Sequence, residues 1–143
     1  MYGRMIIVDD AATALALSVD QLSEMFDDAV DVDKSWEAAW PLVGAIAESG
    51  MILTDDVIPL GDDLGYGPAM VISAATVQEM ASKLTSASPA DVEAAWGALD
   101  NPLMTDRYDD PDGKEFAMDG YAQTVEVFRG AAESSKVIVF AIV

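Results

Sequence analysis

Residues 136–143, Lys136-Val137-Ile138-Val139-Phe140-Ala141-Ile142-Val143, restrict the fold more than any other stretch of the chain. Seven strand-forming apolar residues follow one another without a polar break. A run that never alternates has no side for water, so it predicts a strand buried on both faces. At the edge of a sheet such a strand would invite aggregation. The chain must therefore build a sheet around it. Met5-Ile6-Ile7-Val8 and Ala69-Met70-Val71-Ile72 supply two further short apolar runs of strand type. At 143 residues, with an apolar content of 52%, the material suits one α+β domain over residues 1–143. The expected architecture is a small mixed sheet that includes the N- and C-terminal strands, wrapped by about five to six helices.

The helices are marked by their starts. Asp9 or Asp10 precedes a short helix reaching Leu17. Ser18-Val19-Asp20-Gln21 has capping-box spacing and opens a helix with Leu22, Met25 and Phe26 inward, ending near Asp27-Asp28. Asp33 is the expected N-cap of a helix to about Ala47, with Trp36, Trp40, Val43 and Ala47 at helical spacing. Pro41 inside it should bend or split it, and Gly50 is the natural stop. Ser73 opens a helix through Leu84, with Val77, Met80, Ala81 and Leu84 inward. Ser88-Pro89-Ala90-Asp91 opens the next, with Val92, Ala95, Trp96 and Leu99 inward and Asn101-Pro102 as its break. Residues 105–116 read as a polar, acidic loop. A helix from about Met118 to Ala132 then turns Tyr121, Val125, Phe128 and Ala132 inward. Met51-Ile52-Leu53 is too short to assign.

Pro59-Leu60-Gly61-Asp62-Asp63-Leu64-Gly65-Tyr66-Gly67-Pro68-Ala69 cannot be a regular helix or a central strand. Leu60, Leu64 and Tyr66 alternate with the glycines and prolines, which predicts a shaped loop seated on the body of the protein. Phosphate binding fails on spacing: Gly65-Tyr66-Gly67-Pro68-Ala69-Met70 departs from the dinucleotide fingerprint at its final position. Asp62 and Asp63 could ligate a divalent cation or act as an acid–base pair. The stronger reading is that they accept backbone N–H groups and hold the turn. Two tryptophans on one helix face, Trp36 and Trp40, read first as core. Asp109-Asp110-Pro111-Asp112-Gly113-Lys114 fails as a calcium loop, with Tyr108 and Asp119 at the outer ligand positions, and reads as an exposed acidic turn. Asp31 and Asp33 are accounted for by a helix start.

Absences exclude whole chemistries. Without Cys there is no disulfide or thiolate nucleophile, and without His there is no Ser-His-Asp triad and no imidazole metal ligand. No apolar run approaches membrane-span length, and no signal peptide is evident, so the expected location is cytoplasmic. A net charge of −19, from 26 acidic and 7 basic residues, repels phosphate backbones and argues against nucleic acid. It favours encounter with a basic protein.

Met1-Tyr2-Gly3, the Asp31-Val32-Asp33-Lys34-Ser35-Trp36 segment and the Pro59–Ala69 stretch resemble signature segments of the YfbM-like family, a bacterial domain of unknown function. The resemblance runs along essentially the whole chain. It implies a compact α+β domain in the cytoplasm and brings no activity, cofactor, metal or catalytic residue with it.

The expectation is a non-enzymatic protein-binding module, for which an immunity- or antitoxin-like role against a basic toxin suits the charge. A small-molecule binder is the alternative, with the loop and Trp36/Trp40 framing a pocket. A third is a carboxylate- or divalent-metal-dependent enzyme using the Gly61–Pro68 loop. The binding residues to place in the structure are Asp62, Asp63, Tyr66, Trp36 and Trp40.

Overall fold

The computed structural model describes residues 1–49, 57–61, 63–100 and 108–143. Among these residues, five strands form one sheet in the order β2-β1-β5-β4-β3. They are β1 (Gly3–Val8), β2 (Val30–Asp31), β3 (Val57–Leu60), β4 (Ala69–Ile72) and β5 (Val137–Ile142). The apolar run at 137–142 is the centre of the sheet, with β1 on one side and β4 on the other. Every neighbouring pair is antiparallel, so the class is α+β but the sheet is not mixed. None of these links needs the crossover that a parallel neighbour demands.

Side chains of β5 alternate between two cores. Ile138 and Phe140 join Met5 and Ile72 beneath α3 (Trp36–Ala47), α4 (Ala74–Ser86) and α6 (Pro111–Glu133). Val137, Val139 and Ala141 join Ile6, Val8 and Val71 on the opposite face. That face is covered by α1 (Ala11–Leu15) and α2 (Val19–Asp27), through Ala14, Leu22 and Phe26. α5 (Pro89–Ala98) lies outside α3. Its Val92, Ala95, Trp96 and Leu99 do face the protein but are only half-buried. α3 is closed in on nearly all sides, which is why its sequence is apolar on nearly all sides.

The helix starts follow local chemistry. Asp10 caps α1 by accepting from Thr13 N–H, and Ser18–Gln21 and Ser88–Asp91 form reciprocal capping boxes. Ser73 caps α4. Asp33 does not cap α3. It has φ of 50° in a 3-10 turn, Asp33–Ser35, that leads into the helix, where no side chain caps. Its carboxylate accepts from Lys34 N–H instead, and Asp31 accepts from Asp33 N–H. Helix α3 passes through Pro41 unsplit and stops with Glu48 in the left-handed region at φ of 54°. Gly50 and Met51-Ile52-Leu53 lie outside the described residues, as do Asn101-Pro102 and residues 105–107.

The largest departure from expectation is α6, which begins at Pro111 rather than near Met118. Asp110 caps it by accepting from Gly113 N–H at 2.6 Å, so the supposed acidic turn is a helix start. The inward face is also rotated: Ala117, Gly120, Thr124, Val127, Phe128 and Ala131 are buried, while Tyr121, Val125 and Ala132 sit at its margin. Tyr108, just before the helix, is 2% exposed and packs with Ala38 and Ala117.

Candidate functional site

The Pro59–Ala69 stretch is the turn of a β-hairpin and the end of its first strand. β3 pairs with β4 up to Leu60 opposite Ala69, so Pro59 belongs to an edge strand, the place where a missing N–H is tolerated. Between them, Gly61, Gly65 and Gly67 have φ of 58°, 120° and 110°, which other residues adopt only with strain. Asp63 Oδ1 accepts from Gly65 N–H at 2.6 Å and Gly67 N–H at 2.9 Å, and Leu64 N–H donates to the Gly67 carbonyl at 3.0 Å. The Gly67 amide first, and the Gly65 amide next, hold the Asp63 carboxyl below the usual carboxylate range. Asp63 is thus the clasp of the turn, and its neighbour Asp62 lies outside the described residues.

Leu60 is buried and Leu64 packs against the α2-side core, which seats the turn on the body. Tyr66 does not join them. It stands 58% exposed between two glycines. The expected trio of anchors is therefore a pair, with the aromatic ring held out in water.

Backbone pairing locates this turn. Gly3 faces Ile142 across β1 and β5, and Tyr2 and Val143 exchange hydrogen bonds just beyond. Met70 faces Phe140, so the turn preceding β4 lies at this same end of the sheet. Beside Leu64 is a pocket of about 200 Å³ lined by Arg4, Ser23, Phe26, Asp27 and Val143. The Arg4 guanidinium is already engaged: Nη1 donates to the Phe26 carbonyl at 2.7 Å, and Nη2 lies 3.4 Å from Asp31 Oδ2. Arg4 therefore balances charge within the wall more than it offers charge to a ligand. It is the lone cation of a strand otherwise Gly or apolar, a signal the sequence carried and the apolar reading of β1 passed over.

Acidic groups gather at this end. Asp31 sits opposite Arg4, Asp33 follows it, and Asp27 and Asp28 close α2. Tyr108 O–H donates to the Lys34 carbonyl at 2.9 Å, and Asp109 and Asp110 follow it at the head of α6 beside Trp96. Among the described residues, Asp28, Asp33, Asp63, Asp109 and Asp110 have no ion-pair partner, whereas Arg4, Lys83, Lys114, Arg129 and Lys136 all have one. Also among the described residues, no three carboxylates converge closely enough to hold a metal ion.

Trp36 and Trp40 are elsewhere. They are 7% and 4% exposed, their rings 5.7 Å apart, with Trp40 edge-on to Phe140 at 5.3 Å. They belong to the core under α3, on the sheet face opposite the one Leu64 covers. The sheet stands between the indoles and the turn, so the structure does not bring these candidates together.

One family model, described as a domain of unknown function (DUF1877), matches residues 8–141. The chain belongs to the DUF1877 family. No curated protein and no solved structure matches this DUF1877 chain. None of its described helices is long and apolar enough to cross a membrane. The match covers every described strand wholly or in part, and it includes the glycine-rich turn.

Proposed function

We propose that this DUF1877 protein is a docking module for a basic protein, with the β3–β4 turn as its contact. The observation that carries the reading is Tyr66. Three glycines with positive φ and a doubly accepting aspartate fix a turn whose one large outward group, among the described residues, is an exposed phenol. A tyrosine carried on a fixed backbone turn loses less entropy on contact than one on a mobile loop, and tyrosine is among the residues enriched at binding hot spots. Asp63 in the turn, with Asp27 and Asp31 at the same end of the sheet, supplies complementarity to a basic surface and would speed its approach. The YfbM-like resemblance, a bacterial cytoplasmic setting and an immunity- or antitoxin-like role are compatible with this reading.

The test is affinity capture on the immobilised protein at about 0.05 M and about 0.5 M salt, since exposed charges are largely screened at the higher value. The expected result is one basic protein, identified by mass, retained at low salt and depleted at high salt. Tyr66→Ala should reduce its capture at least tenfold, or about 1.4 kcal/mol, while changing stability by less than about 0.5 kcal/mol. Retention that ignores both salt and Tyr66→Ala, or no capture in either buffer, overturns the proposal.

A further inference from the structure

We propose that the cleft between the end of α5 and the start of α6 takes an arginine side chain from a basic partner segment. The inference rests on the docking reading above and adds a second contact to it.

Helix α5 covers α3 incompletely, leaving Trp96 half-buried against Ala38, Tyr108 and Ala117. The gap between Trp96 and the head of α6 is a cleft of about 450 Å³. That volume falls within the range of pockets that hold small ligands, roughly 300–1,000 Å³. Trp96, Leu99, Tyr108 and Pro111 give it apolar walls, and the exposed Asp109 and Asp110 line its acidic side.

Among the described residues, its charges do not cancel. Lys114, the one cation lining the cleft among the described residues, is held by Glu93 at 2.7 Å. Asp110 gives one oxygen to Gly113 N–H as a helix cap. Among the described residues, Asp109 has no hydrogen bond or ion pair. Tyr108 directs its O–H to the Lys34 carbonyl at 2.9 Å, with Glu37 Oε2 at 3.3 Å. Apolar walls with carboxylates beside them match a long aliphatic stem that ends in a cation. Arginine fits better than lysine, because a planar guanidinium stacks on an indole and offers a fork of donors to carboxylates.

The experiment follows the three indole N–H signals of the full ¹⁵N-labelled chain, the Trp96 signal being the one lost in Trp96→Phe. Blocked (Ala-Arg)₃, (Ala-Lys)₃ and (Ala-Glu)₃ peptides are titrated at low salt. The arginine peptide should move the Trp96 signal and leave Trp36 and Trp40 still. The lysine peptide should bind more weakly and the glutamate peptide not at all. Asp109→Asn should weaken the arginine peptide about threefold, the scale of one exposed charge pair, with unmoved Trp36 and Trp40 signals confirming an intact fold.

Shifts at the amides of Gly65, Tyr66 and Gly67 without movement of Trp96 would overturn the cleft and leave the turn reading standing. An unmoved spectrum overturns the cleft as well, and the turn is then judged by its own salt-dependent capture. Movement of Trp96 on concentrating the protein alone would assign the cleft to a second copy of the chain, and equal response to the glutamate peptide would deny it charge recognition. Either result overturns the proposal.

Discussion

A methyl group placed on Gly120 would sit 2.8 Å from Ser35 Cβ and 3.3 Å from Ala39 Cβ, so α6 rests on α3 through a bare backbone. Gly120→Ala should destabilise the protein by about 1–3 kcal/mol, the usual cost of overpacking, measured as a lower urea midpoint at unchanged slope. An unshifted midpoint would mean the helices separate freely there. Asp63 invites a different test. Its folded carboxyl titrates below the ordinary value, so its contribution is complete above about pH 4, the unfolded range. That contribution is lost as pH falls through the lower folded value. Wild type should therefore melt above Asp63→Asn at pH 7, and the gap should close on titration toward pH 2. A gap that stays constant with pH would show that the charge plays no part in the clasp.

Among the elements, those with a local signature were legible and those decided by neighbours were not. Strand β5 was legible because an unbroken apolar run has one comfortable place, the middle of a sheet. The starts of α2, α4 and α5 were legible because Ser18, Ser73 and Ser88 carry their own cap chemistry. The start of α6 has the same grammar, Asp110-Pro111-Asp112, but Gly113 and the surrounding acids read as a loop. Two-residue β2 exists only because β1 pairs with it. The turn at 61–67 was readable as shaped and as held by an aspartate. The outward pose of Tyr66 and the placement of Trp36 and Trp40 across the sheet required the tertiary fold. If Asp110 is a true cap, Asp110→Ala should cost about 0.5–2 kcal/mol by chemical denaturation, comparable with Ser88→Ala. A neutral Asp110→Ala would return that segment to the loop first expected.

For the whole molecule, charge acts as a single quantity. With 26 acids against 7 bases, repulsion within the folded chain is expected to outweigh its surface ion pairs. Raising salt from about 0.01 M to about 0.5 M, which shortens the screening length below 10 Å, should therefore raise the melting temperature. A fall would mean the exposed ion pairs matter more than the net charge. The strand order carries a consequence for biogenesis. β1–β2 and β3–β4 each form a small ladder by proximity along the chain, but only residues 137–142 join the two. The ribosome makes this keystone after the other four described strands, so the halves can be bridged only once it has cleared the exit tunnel. A chain stalled short of residue 137 would present two unfinished half-sheets to chaperones and proteases.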